Sequence, residues 1–156
     1  MFDVRYESGI LHTIMMFIDK AAEIIGKQKP IDTVIVDRVR KSLARKGATL
    51  HQSAESDEWL ISKGAEAVTF SDGTIIMHTA VSASGFFEEL IHYGQIRSGR
   101  AVAGDIENNI LMEIDAKERL IKHRITYGIT DFEVNVLTEG LDFYKMELEN
   151  IRKAGD

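Results

Sequence analysis

The amino-acid sequence predicts one α+β domain over residues 1–156, and three observations carry that prediction. Apolar residues recur at helical spacing near both ends of the chain, two β-rich runs flank an Asp-Gly turn in the middle, and no Gly/Ser/Pro-rich stretch separates them. A length of 156 residues suits one hydrophobic core, which at this size buries roughly two-thirds of the surface of the unfolded chain. The composition, 44% hydrophobic and 28% charged with a single proline, is that of a packed chain rather than a disordered one.

Ile10, Ile14, Phe17, Ile18, Ala21 and Ile25 follow the pattern of an amphipathic helix, which Gly26 and Pro30 end. Asp32 is expected to cap a second helix, with Ile35, Val39 and Leu43 on one face and Gly47 as its stop, so that the first two helices form a hairpin. Residues 49–52 read as a short strand, and Ser56 as the cap of a brief helix that holds Trp59 and Leu60 and ends at Gly64. Residues 65–70 and 74–78 are then a β-hairpin closed by Ser71-Asp72-Gly73, because glycine accepts positive φ at no steric cost.

The small residues 79–85 lead into a helix over about 86–97. Asp105 is expected to cap a long helix reaching about Tyr127. Thr130 and Glu133 have capping-box spacing for a last helix, in which Val134, Leu137, Leu141, Tyr144, Leu148 and Ile151 form one stripe. The expected architecture is an N-terminal helical hairpin, a small mainly antiparallel sheet, and then three helices.

A net charge of −6 and a pI near 5.4 argue against nucleic acid as a partner, since phosphate-backbone binding needs a lysine and arginine surface. Arg38, Arg40, Lys41, Arg45 and Lys46 have the spacing of a solvated helix face. There are no cysteines, so any metal must be held by His and carboxylate ligands, and a reducing compartment is compatible. The apolar run over 10–18 contains His12 and follows Asp3, Arg5 and Glu7 rather than a basic leader. It is far shorter than the roughly 20 residues that cross a bilayer. The expectation is a cytoplasmic protein without a membrane partner, with delivery into another cell compatible.

Chemistry concentrates in Glu88-Glu89-Leu90-Ile91-His92. Residues four apart stand on one face of a helix, so Glu88 and His92 converge on one point, as two metal ligands would. Glu89, three residues before His92, can reach the same region and act as general base toward a metal-activated water. A third ligand should come from the helix after Asp105. There Glu113 falls within the stripe of Ile106, Ile110, Ile114, Leu120 and Ile121, while Asp115 points to the other side and Glu118 to the flank. A carboxylate aimed at a core is costly unless paired. Glu113 therefore either coordinates a metal or pairs with Lys117 or Arg124. Glu89 and His92 also form one E-x-x-H unit of the di-iron bundle type, but that architecture needs a second such unit, which the chain lacks.

Residues 74–95, a strand, a small-residue turn and the E-E-x-x-H helix through Tyr93-Gly94-Gln95, resemble zincin-like metallopeptidases. The likeness is greatest to the variants of bacterial polymorphic toxins and phage-associated proteins, in which Glu replaces the first His of H-E-x-x-H. Over residues 65–127 the resemblance implies a zincin-like fold with Glu88, His92 and Glu113 as ligands and Glu89 as the catalytic base. It also implies an edge strand, over residues 74–78, that pairs with a bound peptide. Glu113 and Ala116 match the gluzincin pattern of a ligand Glu with a small residue three positions on, whereas Lys117 stands where that pattern often has Asp. Zinc is the expected ion, and the oxygen-rich ligand set also suits manganese or iron. The expected function is a metal-dependent peptidase acting on a peptide or protein. The alternative is a non-catalytic, partner-binding module on a degenerate zincin scaffold. Tyr93 and His78 are the residues nearest in sequence that could assist the site.

Overall fold

The computed structural model describes residue 25 and residues 27–155. Among them it forms α1 (Thr33–Arg45), β1 (Thr49–His51), α2 (Ala54–Lys63), β2 (Ala67–Thr69), β3 (Thr74–Met77), α3 (Ala83–Arg97), α4 (Ile106–Lys122), α5 (Arg124–Tyr127) and α6 (Asp131–Ala154). The class is α+β. The helix expected from Ile10, and with it the N-terminal hairpin, lies outside the described residues. No helix among the described residues is long and apolar enough to cross a membrane.

The sheet has the order β1-β3-β2 and is mixed rather than mainly antiparallel. Gly73, at φ +88°, turns the chain tightly between β2 and β3 and makes them antiparallel, with Val68 opposite Ile76. β1 reaches β3 only after α2 and β2 have intervened, a crossover long enough for a parallel pair, with Leu50 opposite Ile75. β3 is therefore the central strand. The expectation that residues 74–78 form an edge open to a peptide is overturned, because β3 is hydrogen-bonded on both sides.

Local capping explains most helix starts. The Asp32 carboxylate accepts from the Val34 amide at 2.8 Å, and Thr130 and Glu133 cap α6 reciprocally. α2 starts earlier than Ser56 because Ser53 is its cap: Ser56 N–H donates to Ser53 Oγ and Ser53 N–H to Ser56 Oγ. The inward face of α1 is Val36, Val39 and Leu43, whereas Ile35 is exposed. α3 begins a turn before Phe86, at a Ser82 cap. The helix expected to run to Tyr127 breaks at His123, whose backbone leaves helical geometry, so α4 and α5 are separate.

Two apolar clusters meet on α3. On one side Phe86 and Tyr93 pack with Leu50, Ile75 and Met77 of the sheet and with Val36 and Leu43 of α1. On the other, Ile91 packs with Ala116 and Leu120 of α4 and Leu137 of α6. Phe86 is fully buried, a contribution of about 1.5–3 kcal/mol by area. The first turn of α3 is held by two carboxylates, Glu66 half-buried and Glu133 buried. Glu66 accepts from Ser82 N at 2.9 Å and Ser82 Oγ at 3.0 Å, and Glu133 accepts from Ser84 N at 2.9 Å. Both satisfy amides that a helix start leaves without intrahelical acceptors and favour its dipole. Burial raises the Glu66 carboxyl above its ordinary range, against the opposing bonds from Ser82.

Candidate metal centre

Clamped between these two clusters, α3 presents Glu88 and His92 to α4 and Glu89 to Thr69 of β2. His92 Nε2 lies 3.4 Å from Glu113 Oε1 and 3.8 Å from Glu88 Oε1. One donor atom from each of Glu88, His92 and Glu113 can be chosen so that all lie within 4.8 Å of one another. The side chains are mostly covered but reach solvent, His92 at 14%, Glu88 at 17% and Glu113 at 30% exposure.

A four-coordinate ion with bonds of about 2.1 Å holds its donors roughly 3.4 Å apart. The His92–Glu113 pair has that separation and Glu88 Oε1 stands slightly wider, so the spacing suits a divalent cation, with Glu88 Oε1 also bonded to Lys117. A chain of hydrogen bonds positions the imidazole. Gln95 Oε1 is 2.8 Å from His92 Nδ1, and Gln95 Nε2 donates to the Met112 carbonyl at 3.1 Å and to Asp115 Oδ2 at 3.0 Å. The two acceptors fix the amide orientation, so Gln95 Oε1 accepts and Nε2 of His92 is left facing the carboxylates. Asp115, expected on the other side of α4, instead meets Gln95 and also binds Arg100 at 2.9 Å.

Lys117 is the feature that the ligand pattern does not contain. Its ammonium donates to Glu88 Oε1 at 2.5 Å and Glu113 Oε2 at 3.2 Å, so of the two ion-pair partners expected for Glu113, Lys117 is present. Arg124 pairs with Asp131 instead. Burial alone would lower the Lys117 pKa, but Glu88 and Glu113 outweigh it and raise it. The same balance acts on the carboxyls: burial opposes ionisation, and it is overcome by Lys117 at Glu88 and by His92 and Lys117 at Glu113, so both lie below the ordinary range. His92, lowered by burial, is raised well above its usual value by Glu113 and Glu88. Without an ion the cluster thus gathers positive charge where a cation would sit, and metal binding must release the imidazole proton.

Glu89 has a different environment. Thr69 of β2 donates its hydroxyl to Glu89 Oε2 at 2.6 Å, and burial pushes the carboxyl up to about 7, against the opposing effects of His92 and Thr69. A carboxyl that titrates near neutrality is suited to general acid–base work.

Neither sequence neighbour assists the site. Tyr93 packs in the sheet-side core, and its hydroxyl has no hydrogen-bond partner among the described residues. His78 Nδ1 accepts from the Ala80 amide, and Nε2 lies 3.7 Å from Asp57. A cavity of about 520 Å³ opens along the neighbouring stripe of α3, with Phe87, Leu90 and Tyr127 as apolar lining and Arg100 and Arg119 as polar lining. It meets the centre at Gln95, and none of Glu88, Glu89, His92 or Glu113 lines it.

Gln95 could have been found by helical spacing, at three residues from His92, just as Lys117 was, at four from Glu113. Thr69 comes from another element, and no local pattern marks it. Compared with known proteins, the chain matches no family model, no curated protein and no solved structure.

Proposed function

We propose that the protein is a metal-dependent peptidase in which Glu88, His92 and Glu113 hold a divalent ion, zinc first with manganese or iron as alternatives, and Glu89 is the general base. The observation that carries this reading is the convergence of the three donor side chains beside a carboxyl that titrates at about 7. When bound, the ion supplies Lewis acidity, which lowers the pKa of water toward neutrality and polarises a carbonyl. Glu89 takes the proton as the water oxygen bonds to the peptide carbon, and returns it to the amine as the C–N bond breaks. Gln95 keeps His92 Nε2 turned toward the carboxylates. The zincin-like fold, with a toxin or phage-associated setting, belongs to the same proposal. Its substrate is a peptide or protein and its compartment the cytoplasm, in keeping with a chain that has no cysteine.

Metal content of the purified wild type, His92→Ala and Glu113→Ala is the direct test. The expected result is about one Zn, Mn or Fe per wild-type chain and none in either variant. Once a cleaved peptide is found, Glu89→Gln should abolish cleavage while keeping the ion. Unchanged hydrolysis in that variant ends the assignment of Glu89.

One observation favours a second reading. Lys117 already satisfies both Glu88 and Glu113, as expected of a non-catalytic, partner-binding module on a degenerate scaffold. A wild-type protein that takes up none of the three ions supports that reading.

A further inference from the structure

Lys117 reaches Glu88 and Glu113 through an opening that α6 provides. Its stem runs against Gly140, where an added Cβ would lie 2.9 Å from Lys117 Cε and 3.5 Å from Cδ. Glycine weakens a helix interior relative to alanine, and at this position it gives the lysine its passage. The ammonium then lies 5.2 Å from the centre of the Tyr144 ring, within cation–π range. One side chain of α4 is thus directed by a glycine and an aromatic ring of α6 onto two carboxylates, one of them on α3.

Each carboxylate has two oxygens, and Lys117 takes one of each: Oε1 of Glu88 and Oε2 of Glu113. The other oxygen of Glu113 is the one that faces His92, whereas at Glu88 the lysine-bound Oε1 is itself the oxygen 3.8 Å from His92 Nε2. We infer that Lys117 is a positioning residue of the metal centre, which by holding Glu113 Oε2 confines that carboxylate to Oε1 as its metal-binding oxygen and so keeps the ion at low coordination number with a place open for water. This rests on the metal-centre reading above. Carboxylates bind divalent ions through one oxygen or two, and outer partners that hydrogen-bond a ligand decide its orientation. With the ammonium removed, Glu113 is free to turn both oxygens to the ion and fill its open position.

Cobalt(II) reports this directly, because its visible bands are intense at four-coordination and weak at five or six. Wild type, Lys117→Met and Gly140→Ala are loaded with Co(II), and uptake and visible spectrum are recorded for each, with circular dichroism to establish folding. The expected result is an intense spectrum for wild type, and for Lys117→Met undiminished Co(II) uptake with bands weakened several-fold. Should Lys117→Met fail to fold, Gly140→Ala carries the test: its methyl group displaces the lysine stem, and the same weakening is expected with Lys117 still present. Unchanged bands in the folded variant, or loss of Co(II) from it, overturn the inference and leave the metal centre standing. No Co(II) uptake by wild type ends both.

Discussion

Gln95 Oε1 lies 2.8 Å from His92 Nδ1, and this bond decides which imidazole nitrogen is offered to the carboxylates. With Gln95 Nε2 anchored on Met112 and Asp115, the amide oxygen has to be the acceptor, so Nδ1 carries hydrogen. Gln95→Leu should therefore weaken zinc binding by about 10–100-fold, the usual effect of losing the outer partner of a ligating histidine. Gln95→Glu still accepts from Nδ1 but turns its other oxygen on the Met112 carbonyl and the Asp115 carboxylate, so it should lose affinity as well. Competition against a chromophoric chelator measures both, and equal affinities for wild type and Gln95→Leu would mean that packing alone orients the ring.

Glu89 gives a pH-dependent stability prediction. Its carboxyl is raised by burial from 4.5 to about 7, so the folded state holds this proton more tightly than the unfolded chain. Stability is lost as pH rises from 4.5 to 7, and the loss is complete above 7, at about 3 kcal/mol. In metal-free protein, Glu89→Gln should raise the melting temperature at pH 8 and leave it unchanged at pH 4. Thermal scans in chelator at both values check this, and an equal effect at both would show that the buried charge is not the cause.

Thr69 stabilises the ionised form of Glu89 by donating its hydroxyl at 2.6 Å. Thr69→Val keeps the shape and the β-branch but removes the donor, so the Glu89 carboxyl should titrate higher still. Carbon-13 NMR of the side-chain carboxyl follows it residue by residue. A midpoint that stays or falls would remove Thr69 from the account of this acid.

Gly85→Ala sets helix propensity against packing. Alanine would favour α3 by about 1 kcal/mol, but its Cβ would sit 2.7 Å from Glu66 Oε2, and overpacking costs about 1–3 kcal/mol. Because Glu66 also holds Ser82, net destabilisation in urea unfolding is expected. A gain in stability would mean that Glu66 can move aside without loss.

The convergence of Glu88, His92 and Glu113 was legible in the sequence because it depends on two local periodicities, one along each helix. The hairpin at Gly73 and the Thr130–Glu133 box were legible for the same reason, since each is written within a few residues. The central place of β3 was not, because strand order is decided by partners far along the chain. The break at His123 was hidden because neither glycine nor proline stands there. Ser53 and Ser56 are equivalent as cap formers in sequence, and only the observed bonds distinguish cap from third residue. Gly140 looks like a weakness in a long helix until the lysine lying against it is seen.

The two carboxylates at the start of α3 come from different layers, Glu66 just before strand β2 and Glu133 from helix α6, and each binds a backbone amide within the same three residues. Together they act as an axial stop. Sliding the sequence of α3 by one residue along its axis would carry every side chain 1.5 Å and rotate it by 100°, whereas a working constellation tolerates about 0.5 Å. The alignment of Glu88 and His92 with Glu113 is thus gauged more than a helical turn upstream, at a point that neither ion nor substrate needs to touch.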